Sequence, residues 1–132
     1  MIEDIKKYLS STSVEKIDEY SCIITMPITH IFKGNPNFKF KIIKTSSGFN
    51  ATDMGITYNT IKFNNVTLSN NISKKIYKLS KIFRCEIVNS EIISNSESIE
   101  NLKYNLSYMI EFISIINYNA YGENIKNIEI SK

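Results

Sequence analysis

The sequence predicts an α+β fold: an antiparallel sheet of four to five strands with helices packed mainly on one face. Two observations support this prediction. Short β-rich runs with period-two alternation occupy the first half of the chain, whereas apolar residues at helical spacing dominate the second half. The 132 residues suit one domain and are too few for two ordinary ones, so residues 1–132 are predicted to form a single domain.

The first half of the chain is predicted to form one helix and then a series of antiparallel strands. Apolar residues at helical spacing predict the opening helix over residues 3–9. Beyond it, β-branched and aromatic runs separated by turn signals predict strands. In residues 38–44, apolar residues alternate with lysines, which is typical of a strand with one face in solvent. The predicted strands cover residues 20–26, preceded by a shorter partner, then residues 38–44 and 49–52.

The following segment is predicted to contain two helices and a small β element. Residues 57–63 predict a short helix or an irregular turn. A firmer helix begins at a cap near Ser69 or Asn70 and runs to about Phe83, with its apolar residues along one face. A strand or a small hairpin is predicted next, over residues 85–88 and 91–93.

The longest helix is predicted to close the fold. Ser96 or Ser98 caps its start, and its apolar pattern runs from Ile99 to about Ala120. Gly122 lies where a left-handed residue commonly ends a helix, so we place the helix end there. The tail over residues 125–132 is predicted to fray or to add an edge strand.

Composition limits what the positive charge implies. The net charge of +3 is carried almost wholly by lysine, and Arg84 is the only arginine. Abundant Asn, Ile, Lys and Ser with few Arg and Ala is the bias that an AT-rich coding sequence produces. The net charge is therefore weak evidence for a nucleic-acid partner.

The sequence predicts a cytoplasmic protein without a membrane span. The chain is charged from its third residue and lacks the apolar stretch of a signal peptide, and no run approaches the 18 or more apolar residues of a span. Cys22 and Cys85 lie far apart in apolar segments, so we predict two buried free thiols rather than a disulfide.

No pattern in the sequence predicts a metal site, a cofactor or an enzyme. His30 is the only histidine, and the spacings typical of zinc ligands do not occur. The four scattered glycines form no phosphate-binding loop, and no serine lies in a nucleophile elbow. An unusual or degenerate metal-dependent nuclease centred on Asp53 is kept as an alternative, although no Glu-x-Lys follows it on a strand.

Two polar features qualify as candidate sites. Asp53 and Gly55 lie at a strand end and predict a structural turn, in which the acid caps backbone amides; the alternative makes Asp53 part of a binding surface. The second feature is a basic helix face that suits the phosphates of a nucleic acid or, without any ligand, the helix dipole and solvent. Its residues are Lys74, Lys75, Lys78, Lys81 and Arg84.

The last helix is apolar on two sides, which makes it the strongest candidate for an interface. One stripe runs from Ile99 to Ile116 and is expected to face the core. The other is either covered by the remaining helices or binds a partner, because tyrosine and phenylalanine are enriched at interfaces. We predict partner binding by this second stripe, and a homodimer through its first three residues. The stripe is formed by Tyr104, Tyr108, Phe112 and Ile115.

The order of elements resembles domain-of-unknown-function family 1828, a group of small bacterial and phage proteins. The resemblance rests on residues 49–55, which read Phe-Asn-Ala-Thr-Asp-Met-Gly, and on the helix that leads into residues 83–87, Phe-Arg-Cys-Glu-Ile. It covers most of residues 1–120. Where the family often has Asp-Asp-Gly, this chain has Met54 as the second residue. The resemblance implies an association with phages and mobile elements.

These observations predict a non-enzymatic, protein-binding module of a phage or mobile element. Its most concrete form is an inhibitor of a host defence system, of the anti-CRISPR type. The first alternative is a nucleic-acid-binding accessory protein that uses the basic helix face, and the second is the degenerate nuclease.

Overall fold

The computed structural model describes Ile5, residues 13–26 and residues 38–122, and it gives the helical backbone of residues 123–130. Apart from Ile5, which is buried in the core, the predicted opening helix lies outside the described residues. His30 also lies outside them.

The described residues form an antiparallel sheet with three helices packed against it, which confirms the predicted α+β class. The sheet has six strands in the order β1-β2-β3-β4-β6-β5. This is one more than the upper prediction, because the short partner before β2 and both arms of the later hairpin all pair. The strands are β1 (Ser13–Lys16), β2 (Ser21–Met26), β3 (Phe38–Thr45), β4 (Gly48–Thr52), β5 (Glu86–Val88) and β6 (Glu91–Ser96).

Buried and exposed residues alternate along β3, as predicted for residues 38–44. Phe40 and Ile42 are fully buried, while Lys39 between the apolar positions is exposed. The β5–β6 hairpin turns at Asn89 and Ser90, which have φ values of 50° and 64°. Two successive left-handed residues match the right-handed twist of the flanking strands.

The helices are α1 (Ile56–Phe63), α2 (Asn70–Ile82) and α3 (Ile99–Ile130). The predicted serine caps are present at two of them. The Ser69 hydroxyl accepts a hydrogen bond from the Ile72 amide at 3.2 Å, and the Ser98 hydroxyl accepts one from the Asn101 amide at 3.2 Å. Each satisfies an amide that the first helical turn leaves without a partner.

The prediction that α3 ends before Gly122 is wrong. The helix continues through Gly122 to Ile130, and the tail is helical rather than an edge strand. A glycine inside a helix costs only about 1 kcal/mol relative to alanine, so it marks an end only where the chain also turns. Among the described residues, no helix combines the length and apolar character that a membrane crossing requires.

Both cysteines are free and buried, as predicted. Burial raises the pKa of the Cys22 thiol and that of the Cys85 thiol, the latter to about 12, with the negative charge of Asp53 adding to the effect at Cys85. A raised thiol pKa keeps the unreactive, protonated form at neutral pH. The two thiols therefore behave as core side chains.

Candidate functional site

Asp53 lies where β4 ends, and its buried carboxylate ties three segments together. Its Oδ1 accepts hydrogen bonds from the amides of Gly55 and Ile92, each at 2.9 Å, and its Oδ2 accepts one from the Thr57 amide at 3.1 Å. The side chain is 1% exposed. The carboxylate thus joins the end of β4 to the neighbouring strand β6 and to the first turn of α1.

The two residues after Asp53 adopt the left-handed backbone conformation that this turn requires. Met54 and Gly55 have φ values of 60° and 74°, in the left-handed region that glycine adopts at no steric cost. The chain thereby reverses from the strand into α1. Of the two predicted roles of Asp53 and Gly55, this geometry matches the structural turn.

The nuclease alternative requires carboxylates that are free to hold a metal ion. Both oxygens of Asp53 already accept main-chain hydrogen bonds, and Glu91 accepts one from the Thr52 hydroxyl. In the part of the chain that the structure describes, no three His, Cys, Asp or Glu side chains are grouped so that they could hold a metal. The site around Asp53 gives the nuclease hypothesis no support.

The structure places the predicted basic face on the outer side of α2. Lys74, Lys75, Lys78 and Lys81 are all exposed, and α2 contains no acidic residue. The Lys81 ammonium lies 5.5 Å from the centre of the Tyr77 ring, which is itself 58% exposed. The face therefore combines four cations with one aromatic ring.

Arg84 follows α2 in a left-handed conformation, with φ of 57°. Its amide donates to the Lys81 carbonyl at 3.3 Å, and the next amide, of Cys85, donates to the Ser80 carbonyl at 2.8 Å. These two bonds close the helix and turn the chain toward β5. The turn separates the Arg84 side chain from the lysines and directs it to α3.

The Arg84 guanidinium lies over the Tyr108 ring of α3, 5.4 Å from its centre. The same ring meets Phe83 edge to face at 6.5 Å, and Phe83 stacks on Phe112 at 5.9 Å. Two features that the sequence analysis treated separately, the basic helix and the tyrosine stripe, therefore meet at Arg84.

The second stripe of α3 is divided between the surface and the core. Tyr104 is 66% exposed, Tyr108 and Ile115 are half-buried, and Phe112 is 0% exposed. The predicted interface role of Phe112 is corrected by this position, because Phe83 covers its ring within the same chain. The homodimer stays a prediction.

We name the Arg84 face the surface formed by Arg84, Asn101, Tyr104 and Tyr108. Tyr104 lies one turn before Tyr108 on the same side of α3, and Asn101 and Arg84 line one pocket. Sequence reasoning missed Asn101 and its pocket neighbour Asn105. The available signal was the position of Asn105, three residues after Leu102 and four before Met109 on the apolar side of the helix, since a buried asparagine requires partners.

No family model matches the chain, and no similar curated protein or solved structure was found. Membership of family 1828 therefore stays a prediction.

Proposed function

We propose that the protein is a non-enzymatic module that binds another protein through the Arg84 face. The observation that supports this most is the Arg84 guanidinium stacked over Tyr108, beside the exposed ring of Tyr104. Arginine and tyrosine are the residues that most often dominate the binding energy of protein interfaces.

The contact with the Tyr108 ring restricts the Arg84 side chain before a partner arrives. The Tyr108 ring packs against Phe83, and Phe83 packs against the buried Phe112. Immobilising a long side chain on binding costs about 0.5–1.5 kcal/mol, so an arginine held in advance retains more of its interaction energy. The planar guanidinium keeps donors free for a carboxylate or a carbonyl of the partner.

The more specific form of the proposal is an inhibitor of a host defence system, of the anti-CRISPR type, that acts in the cytoplasm. The resemblance to family 1828, with its association with phages, motivates this form. It is tested by expressing the chain in a host with active interference and counting phage plaques. We expect wild-type protein to restore plaques and the double variant Arg84→Ala/Tyr104→Ala not to. Unchanged interference would remove the defence-inhibitor form and leave the binding proposal standing.

Partner capture tests the proposal itself. Immobilised protein is incubated with nuclease-treated host lysate, and the affinity of each captured protein is then measured with wild-type chain and with Arg84→Ala and Tyr104→Ala. We expect each variant to bind at least about 30-fold more weakly, which corresponds to the ~2 kcal/mol of an interface hot spot.

Tyr118→Ala is the matched control for Tyr104→Ala. Both tyrosines are 66% exposed on α3, and they point within about 40° of each other but lie about 21 Å apart along the helix axis. Equal weakening by both variants would contradict the proposal. Light scattering of the purified chain at micromolar concentration tests the homodimer separately: a dimer would support it, and a monomer would count against it.

A second candidate function, nucleic-acid binding, is favoured by one observation: α2 presents four exposed lysines and no acid. Each lysine that contacts a phosphate releases counterions and adds salt-dependent affinity. The exposed Tyr77 ring beside Lys81 offers a surface for one unpaired base.

If α2 binds nucleic acid, reversing two of its charges will weaken that binding. We expect Lys74→Glu/Lys78→Glu to lower the affinity for labelled DNA or RNA at least about tenfold and to reduce the salt slope by about 2. The measurement is fluorescence anisotropy at several salt concentrations. Lys39→Glu/Lys44→Glu, which changes the net charge equally on exposed residues of β3, is the control. Unaltered affinity in the α2 variant would exclude this function.

A further inference from the structure

A polar pocket of about 270 Å³ lies between the end of β6 and the first turns of α3. Its lining is charged or amide-bearing at nearly every position. A second groove of about 490 Å³ adjoins it, shares three of its residues and adds the half-buried ring of Phe49. The pocket is lined by Arg84, Asn95, Ser96, Glu97, Asn101 and Asn105.

Asn105 is one of two buried residues that line this pocket, with 6% of its surface exposed; the other is Ser96. The Asn105 Nδ2 donates to the Asn95 carbonyl at 3.2 Å and to the Ser96 hydroxyl at 2.8 Å, which fixes the amide in one orientation. Its Oδ1 is the one buried side-chain oxygen or nitrogen without a hydrogen-bond partner in the described part of the chain. The two bonds of Nδ2 therefore hold Asn105 as a fixed part of the pocket wall, although a buried acceptor without a partner costs about 1–3 kcal/mol.

Two opposite charges line the same pocket without pairing. Among the described residues, the Arg84 guanidinium contacts the Tyr108 ring, and neither it nor the Glu97 carboxylate forms an ion pair. Each charge is therefore free for a ligand that carries the opposite charge. Because both side chains line one pocket, a ligand that carries both a negative and a positive charge complements them.

We infer that this pocket binds a free α-amino acid with an apolar side chain. The carboxylate binds the Arg84 guanidinium, the ammonium donates to Glu97, and the side chain extends along the adjoining groove to Phe49. The combined pocket and groove fall within the ~300–1,000 Å³ of typical small-ligand sites. Glycine is required at position 48, next to the groove residue Ser96, because a Cβ there would overlap the Ser96 carbonyl.

Isothermal titration calorimetry of the full chain with four probes tests the inference. The first probe, L-leucine, carries both charges. N-acetyl-L-leucine lacks the ammonium charge, L-leucinamide lacks the carboxylate charge, and N-acetyl-L-leucinamide lacks both. We expect L-leucine to bind, each singly blocked probe to bind at least about tenfold more weakly, and the doubly blocked probe not to bind, because charge-assisted hydrogen bonds are the strong ones. No binding of L-leucine at millimolar concentration, or equal binding of all four probes, would overturn the inference.

Two variants separate the two charge contacts. Glu97→Gln is expected to lower the affinity for L-leucine at least about tenfold and to leave the affinity for N-acetyl-L-leucine unchanged. Arg84→Gln is expected to lower the affinity for L-leucine by a similar factor and to leave the affinity for L-leucinamide unchanged. Tyr104→Ala, which is expected to weaken partner binding, leaves the L-leucine affinity unchanged. The two proposals share Arg84 but differ elsewhere, because Tyr104 serves only partner binding and Glu97 only the amino-acid pocket. Tyr104→Ala and Glu97→Gln therefore show which of the two fails.

Discussion

Replacing Asp53 by alanine is expected to lower the free energy of unfolding by about 3–5 kcal/mol. The substitution leaves three main-chain N–H groups, those of Gly55, Thr57 and Ile92, without the carboxylate that accepts their hydrogen bonds. A buried donor without a partner costs about 1–3 kcal/mol. Since small domains are stable by only about 5–15 kcal/mol, this loss is large enough to unfold a marginal protein.

Urea denaturation followed by circular dichroism measures this loss. Asp53→Asn keeps one side-chain oxygen that accepts hydrogen bonds, so we expect it to destabilise less than Asp53→Ala. Asp18→Ala is the control, because Asp18 also accepts a backbone hydrogen bond, from the Tyr20 amide at 2.8 Å, but lies in solvent. If Asp53→Ala lowered the free energy of unfolding by no more than Asp18→Ala does, the hydrogen bonds of Asp53 would not stabilise the fold as described.

Phe112→Ala is expected to lower the free energy of unfolding by about 3–5 kcal/mol, the usual range for a buried phenylalanine. Phe112 is fully buried and stacks on Phe83, so its removal leaves a cavity behind the Arg84 face. Tyr104→Ala, on the same predicted stripe but 66% exposed, is expected to change stability by no more than about 0.5 kcal/mol.

The same denaturation experiment compares the two variants. A small effect of Phe112→Ala would mean that the ring is not held in the core and would restore its predicted place on an interface. A large effect of Tyr104→Ala would mean that this ring stabilises the fold, and the exposed part of the Arg84 face would lose its main aromatic residue.

Local patterns predicted much of the fold because each acts over a few residues. The alternation in β3 places its apolar residues in the core without knowledge of the neighbouring strands. The caps of α2 and α3 depend on Ser69 and Ser98 and on the amide three residues later. The turn at Asp53 was predicted for the same reason, since two of the amides that it binds belong to the next four residues.

The features that escaped prediction depend on contacts between distant residues. Gly122 permits a helix end but does not impose one, and α3 continues past it. Phe112 and Tyr104 belong to one apolar stripe, but Phe112 packs on Phe83, 29 residues earlier in the chain, and is buried in the core, whereas Tyr104 is exposed. The third amide bound by Asp53, that of Ile92, also comes from a distant strand.

The candidate site depends both on local patterns and on contacts between distant residues. The basic residues of α2 and the tyrosines of α3 were predicted from their own segments, but the contact between Arg84 and Tyr108 requires the packing of α2 on α3. The pocket at Asn105 requires, in addition, the end of β6. A binding surface assembled from three elements is not visible in the pattern of any one of them.

Photo-crosslinking from the Arg84 face tests the central claim most directly. A benzophenone amino acid is incorporated in place of Tyr104 or, as the matched control, in place of Tyr118, and each protein is irradiated in nuclease-treated host lysate. We expect a discrete crosslinked protein from position 104, absent from position 118 and lost when Arg84→Ala is added. No crosslink from position 104, or the same crosslinked protein from both positions, would contradict the claim that this face binds a protein partner.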